Sequence, residues 1–117
     1  MMAAITGIGI DVVDIERFKQ SLERTPGLLN RVFTEGESKL KISSLAARFA
    51  AKEALAKALN AKSEFSWQEA EILSETSGKP YFEFSGAMKA RLAGHIVHLT
   101  LSHDAGIASA MVIVEKS

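Results

Sequence analysis

The alternation of apolar and polar positions is least ordinary in one stretch, Arg48-Phe49-Ala50-Ala51-Lys52-Glu53-Ala54-Leu55-Ala56-Lys57-Ala58. At 100° per residue, Leu45, Phe49, Leu55 and Leu59 share one arc of a helix, and Arg48 and Lys52 fall inside it. Glu53 lies at the border of that arc, beside a second arc of small residues made by Ala46, Ala47, Ala50, Ala54 and Ala58. A surface helix normally places its charges opposite its large apolar side chains. Charges within the apolar arc therefore mark this helix as a candidate functional element. Ser43 or Ser44 is suited to cap it, and the pattern carries it to about Asn60.

Before the helix, Ile8-Gly9-Ile10-Asp11-Val12 alternates with period two and reads as a strand. Ile8, Ile10 and Val12 take one face; Gly7, Gly9, Asp11 and Val13 take the other. Asp14 is placed to cap a helix from Ile15, with Glu16 in its first turn. Pro26 suits the first position of a further helix, and Thr34-Glu35-Gly36-Glu37 has the spacing of a capping box. After the long helix, Trp67–Leu73 and Tyr81–Phe84 read as strands joined by Thr76-Ser77-Gly78-Lys79-Pro80. A short helix over Ala87–Leu92 closes at Gly94. Ile96–Ser102 and Ile107–Val114 then form a hairpin about Asp104-Ala105-Gly106. Helices cluster early and most strands late. The expected architecture is α+β: one small domain over residues 1–117, with an N-terminal strand, then helices, then a mostly antiparallel sheet.

Composition narrows the function classes. With 14 basic and 14 acidic residues the formal charge is zero, which argues against a nucleic-acid binder that works by bulk positive charge. There is no cysteine, hence no disulfide and no thiolate metal site. No apolar run approaches a membrane span, and no basic leader precedes Ala3-Ala4-Ile5, so the expectation is a cytoplasmic protein without a membrane partner.

The candidate chemistry rests on a few side chains. Asp11 sits mid-strand among apolar neighbours, where an unpaired carboxylate is costly. Gly7 and Gly9 on its face leave room for a ligand to approach. It reads either as a metal ligand or base, or as an exposed or backbone-bonded strand residue. Glu53 and Lys57 have the spacing of a surface ion pair. Taken with Arg48 and Lys52, they offer three cations and one carboxylate, a set suited to a polyanion carrying a divalent ion. Gly78-Lys79-Pro80 is a turn with Lys79 at its tip. His103-Asp104 lies at the open end of the hairpin. His98 and His103 are an odd number of residues apart and face opposite ways, which argues against a histidine zinc site.

In order, these segments resemble the bacterial holo-acyl-carrier-protein synthases, the small phosphopantetheinyl transferases. Gly7-Ile8-Gly9-Ile10-Asp11-Val12-Val13-Asp14-Ile15 is similar to the opening motif of that family. Arg48-Phe49-Ala50-Ala51-Lys52-Glu53-Ala54 with Lys57 is similar to the second. Phe33-Thr34-Glu35-Gly36-Glu37, Gly78-Lys79-Pro80 and His98-Leu99-Thr100-Leu101-Ser102-His103 match between and after them. The resemblance implies transfer of the 4'-phosphopantetheine arm of coenzyme A to a serine of an acyl carrier protein, or of a carrier domain within a larger synthase, in support of fatty acid biosynthesis. It implies release of adenosine 3',5'-bisphosphate, a magnesium ion held by Asp11 and Glu53, and a homotrimer with sites between subunits. Arg48, Lys57, Gly78, Lys79, Pro80 and His103 would line the coenzyme A cleft. Asp11, Glu53, Lys57, His103 and Asp104 would carry the chemistry, with Glu53, a metal-bound water or the His103-Asp104 pair as base. Arg17 and Arg24, seven residues apart, match a basic helix that docks the acidic carrier.

The sequence departs from the family after the long helix. Leu59-Asn60-Ala61-Lys62-Ser63-Glu64-Phe65 lacks the usual glycine-rich turn, and the connection over Lys41–Ser44 is short. Two other classes compete with the transferase: a non-catalytic module that binds carrier protein or coenzyme A, and a coenzyme A-dependent acyltransferase. The first would lack Asp11 or Glu53; the second needs neither the carboxylate pair nor the pyrophosphate.

Overall fold

The computed structural model describes residues 4–61 and 65–117. β1 (Ala4–Asp14) leads into α1 (Ile15–Arg24), followed by the short helices α2 (Leu28–Val32) and α3 (Glu35–Ser38) and the long α4 (Ile42–Ala58). A 3-10 turn (Trp67–Glu69) precedes β2 (Ala70–Ser74) and β3 (Pro80–Phe84). α5 (Gly86–Arg91) then leads to β4 (His95–Asp104) and β5 (Ile107–Lys116). β1, β5 and β4 form an antiparallel sheet in that order, and β2 pairs with β3 alone. The expected α+β architecture is the one observed, with the N-terminal strand incorporated beside the last.

α4 lies on one face of the three-stranded sheet. Its small arc (Ala47, Ala50, Ala51, Ala54) packs against Ala108, Ala110, Val112 and Val114 of β5, all buried. Small side chains bring the two backbones together, and the two glycines of β1 complete the approach. A Cβ on Gly9 would stand 1.9 Å from the carbonyl oxygen of Ala54, and one on Gly7 2.0 Å from that of Ala58. The room expected beside Asp11 is thus filled by the helix and is not open to a ligand. Gly9→Ala should separate β1 from α4 and cost several kcal/mol, at the overpacking end of core substitutions, because backbone has to move. A melting temperature within a few degrees of wild type would contradict that packing.

The large arc of α4 faces a second layer. Phe18, Phe49 and Trp67 stack in series at 5.0 and 5.8 Å between ring centroids, and Phe33 meets Phe18 edge-on. Such pairs contribute about 0.5–1.5 kcal/mol each beyond burial. Inside this layer lies a buried ion pair, Lys52 Nζ to Glu37 Oε1 at 2.7 Å. Lys52 also donates to the carbonyls of Val32 and Trp67. It is a structural cation, not one of the cations expected to meet a polyanion. Burial holds its ammonium below the usual lysine range, and Glu37 opposes that shift.

Several local expectations hold. Asp14 caps α1 by accepting from the Arg17 N–H at 2.9 Å. Thr34 and Glu37 form the reciprocal capping box. Ala105 and Gly106, both with positive φ, make the two-residue turn between β4 and β5. Others are corrected. Lys41, not Ser43 or Ser44, is the N-cap of α4, and both serines are inside its first turn. α2 begins at Leu28 behind Gly27 rather than at Pro26. Trp67–Glu69 is a 3-10 turn, so β2 begins only at Ala70. α4 ends at Ala58, with Asn60 in the left-handed region just beyond it. The departure from the family at Lys62, Ser63 and Glu64 lies outside the described residues.

Candidate active site

Alternation along β1 turns Asp11 toward α4, on the face shared with Gly9 and Val13. On α4, Glu53 and Lys57 are one turn apart and project from the flank beside β1. Lys57 Nζ donates to Asp11 Oδ1 at 3.0 Å and to the Ile10 carbonyl at 2.9 Å, which fixes the Asp11 carboxylate at the edge of the helix. Glu53 is the second acid of the group. Burial pushes its carboxyl above the usual carboxylate range, the neighbouring Asp11 charge adds to the rise, and Lys57 opposes it. Two acids and one ammonium therefore share one flank of α4.

Arg48 projects from the opposite flank, about 140° to 180° around the helix from Glu53 and Lys57 at the helical period. Its guanidinium meets β2: Nε donates to the Ile72 carbonyl at 3.3 Å, and Nη2 reaches Ser74 Oγ at 3.5 Å. Partial burial lowers the Arg48 pKa, and Glu37 opposes that shift. Arg48 and His103 line a cleft of about 220 Å³ closed by Ser44, Ser74, Gly78 and Pro80. Gly78 turns the chain at φ 94°, which brings Pro80 to the cleft wall and leaves Lys79 exposed at the tip. The sequence thus named four of the cleft residues. It missed Ser44, whose cue was its position one turn before Arg48 on the same flank, and Ser74.

The residues grouped by sequence are therefore two groups in one chain. Asp11, Glu53 and Lys57 are at the β1 edge of α4; Arg48, Gly78, Pro80 and His103 are at the β2 and β4 side. Asp104 pairs with Ile107 at the hairpin end. Successive strand residues point to opposite faces, so it turns away from the cleft that His103 lines. His98 also faces away from the cleft and meets Glu115 on the open side of the sheet, Nε2 to Oε1 at 3.0 Å. Arg17 and Arg24 are both exposed along α1.

Among the described residues no three histidine, cysteine, aspartate or glutamate side chains converge as a metal cage. Two neighbouring carboxylates, Glu53 pushed toward its neutral form by burial and then by the Asp11 charge, nevertheless suit a hard divalent cation. Magnesium commonly takes one or two carboxylates and completes its shell with water and substrate phosphate. Among the described residues no helix is long and apolar enough to cross a membrane.

Comparison with known proteins agrees with this geometry. Residues 7–109 match the model of the 4'-phosphopantetheinyl transferase superfamily. The chain is 51% identical over 115 residues to a holo-[acyl-carrier-protein] synthase of Clavibacter sepedonicus, covering 95% of this chain and 96% of the relative. It is 53% identical over 120 residues to one from Streptomyces griseus, covering 95% and 98%. Among solved structures it resembles a holo-(acyl-carrier-protein) synthase from Bacillus anthracis in complex with CoA (3',5'-ADP), at TM-score 0.80 and 35% identity, over 97% of this chain and 98% of that one. The chain is a transferase and belongs to the 4'-phosphopantetheinyl transferase superfamily, among its holo-[acyl-carrier-protein] synthases.

Proposed function

We propose that the chain moves the 4'-phosphopantetheine arm of coenzyme A onto a serine of an apo acyl carrier protein, with magnesium held by Asp11 and Glu53. The acceptor is a free carrier or a carrier domain of a larger synthase, and the reaction supplies cytoplasmic fatty acid biosynthesis. A bond forms between the serine oxygen and the pantetheine-side phosphorus of the pyrophosphate. The bond from that phosphorus to the bridging oxygen breaks, and adenosine 3',5'-bisphosphate leaves. The observation that carries this reading is the carboxylate pair with its ammonium on one flank of α4, matched by a cationic cleft on the other.

Phosphoryl-type transfer asks a protein mainly to position groups and offset charge. Magnesium bound at Asp11 and Glu53 would polarise the pyrophosphate and stabilise the departing phosphate. Lys57 is placed to offset the same charge from its seat on Asp11. Arg48, with His103, Gly78 and Pro80, supplies the cleft for the bisphosphate end of coenzyme A, and Lys79 is an exposed cation at its rim. The serine proton passes to Glu53, to water or to His103; Asp104 faces away from the cleft and serves at most to support the hairpin. Intact-mass analysis of an apo carrier protein incubated with coenzyme A, magnesium and this chain tests the reaction. A gain of one phosphopantetheine is the expected result. No gain supports a binding module instead, and an acyl gain from acyl-coenzyme A supports an acyltransferase.

The open sheet face supports association between copies, and the family resemblance supplies the number three and the sharing of sites. Ile8, Ile10 and Val12 are 62%, 56% and 61% exposed in the single chain, and Ile5, Ile96 and Met111 continue the patch. Apolar patches of this kind mark association surfaces. Sharing also unites the two flanks of α4, the acids of one copy meeting the cleft of the next. Met111→Arg on this face should give a folded monomer with transfer reduced at least a hundredfold, of the order expected when catalytic groups are no longer held together. An active dilute monomer in sedimentation runs would remove the shared site.

Arg17 and Arg24 give the docking face for the acidic carrier. Exposed charges contribute little to stability but steer association. Reversing both to glutamate should raise the Michaelis constant for the carrier roughly tenfold or more while that for coenzyme A stays put, and added salt should hurt wild type more than the double variant. Unaltered carrier dependence would locate docking elsewhere.

A further inference from the structure

The transfer reaction gives two buried charges no part. Lys52 is 0% and Glu37 1% exposed. Glu37 commits both carboxylate oxygens: Oε1 accepts from Lys52 Nζ and from the Thr34 N–H, and Oε2 accepts from the Ile72 N–H at 2.8 Å. The carbonyl of that same Ile72 accepts from Arg48 Nε. One residue of β2 thus links the buried carboxylate to the guanidinium at the cleft wall. Apolar side chains of similar volume often stabilise a core as well as a buried ion pair does. Hydrogen bonds to a charged group are stronger and more directional than packing, and they fix where a strand peptide sits.

The surroundings of Arg48 make that link matter. Its other hydrogen bond, to Ser74 Oγ, is longer at 3.5 Å, so the Ile72 carbonyl at 3.3 Å is the closer anchor of the guanidinium. Arg48 also borders a hollow of about 180 Å³ that it shares with Glu71. The Thr34 hydroxyl donates to Glu71 Oε2 at 2.7 Å and engages that carboxylate. The same threonine hydroxyl accepts from the Glu37 N–H. The capping box therefore both seats Glu37 and holds Glu71, the other carboxylate that lines the hollow.

We propose that Glu37, seated by Lys52 and Thr34, is a positioning residue that aims Arg48, through Ile72, at the phosphate groups of coenzyme A. This rests on the placement of coenzyme A in the Arg48–His103 cleft. An amide presents one acceptor oxygen where the carboxylate presents two, so Glu37→Gln deprives either Ile72, or Lys52 and the Thr34 N–H together, of their partner. The Michaelis constant for coenzyme A should rise about tenfold, the size of one charge-assisted hydrogen bond. Calorimetric affinity for adenosine 3',5'-bisphosphate, measured well below the melting temperature, should fall by the same factor. The Michaelis constant for the carrier should not move.

A double-mutant cycle separates aiming from mere stability. In an Arg48→Ala background, Glu37→Gln should still lower the melting temperature but add no further loss of bisphosphate affinity. Equal losses in both backgrounds, or none in either, overturn the proposal. If Arg48→Ala alone leaves bisphosphate affinity unchanged, the placement of coenzyme A fails first and takes the proposal with it. Thr34→Ala provides a milder route if Glu37→Gln does not yield folded protein. It loosens the seat of Glu37 and frees Glu71, and its affinity loss should likewise vanish beside Arg48→Ala; persistence of that loss counts against the link.

Discussion

Asp11→Asn and Glu53→Gln should each lower transfer by roughly three orders of magnitude, in the upper part of the range for losing one catalytic group. The fold should survive both changes, because neither side chain is part of the core. Wild-type protein should melt higher with magnesium and adenosine 3',5'-bisphosphate present, as any ligand of the native state requires, and this gain should shrink in both variants. The metal-free proteins give a separate check. Burial and Asp11 raise the Glu53 carboxyl above its unfolded value, so the native state binds more protons through that window. Stability then falls as pH rises through it. Glu53→Gln removes this fall and should leave the metal-free protein at least as stable as wild type at neutral pH. A variant that keeps activity at ordinary magnesium, or a Glu53→Gln protein that melts well below wild type, contradicts the carboxylate pair.

The second large effect belongs to Lys52. Lys52→Ala leaves the Glu37 carboxylate buried without its cation and opens a cavity beside Phe33 and Trp67. Breaking a buried pair from one side costs about 3–5 kcal/mol. For a domain of this size that is a drop of roughly 10–25 °C in melting temperature. Glu37→Ala should cost at least as much, since the Ile72 and Thr34 N–H groups lose their acceptor as well. Replacing both charges at once with apolar side chains, Lys52→Met together with Glu37→Leu, should recover the part of the loss that comes from the unpaired charge, while the Ile72 and Thr34 N–H groups still lack their acceptor. It should not recover affinity for coenzyme A. Thermal melts of the three variants, with wild type alongside, decide the matter: a Lys52→Ala protein within about 3 °C of wild type would mean that the pair is not the anchor of this layer.

Local signals are readable in the sequence where the chain itself supplies both partners. Asp14 with Arg17, Thr34 with Glu37, and the Ala105-Gly106 turn are each complete within four residues, and each is found, the turn with Asp104 drawn into β4. Asp11, Glu53 and Lys57 are legible as a group through the family motifs, and the Lys57–Asp11 bond joins two of them. What cannot be read depends on distant chain. Gly7 and Gly9 suggest space for a ligand, because nothing local says that the carbonyls of Ala54 and Ala58 fill it. Lys52 suggests a phosphate ligand, because its three acceptors come from Val32, Glu37 and Trp67, fifteen to twenty residues away. The anomaly of a cation within an apolar arc is real. Its cause is a buried carboxylate on a neighbouring helix.

The two flanks of α4 also bear on how damage to this protein is inherited. Where copies share their sites, a chain that has lost Asp11 still offers an intact Arg48 cleft to its neighbour. A chain that has lost Arg48 still offers intact acids. Two alleles, each inactive alone, can then rescue one another in a mixed oligomer, while two alleles damaged on the same flank cannot. With sites shared as proposed, the helix would divide the gene into two complementation groups whose boundary is a line along one surface of α4, not a point in the sequence.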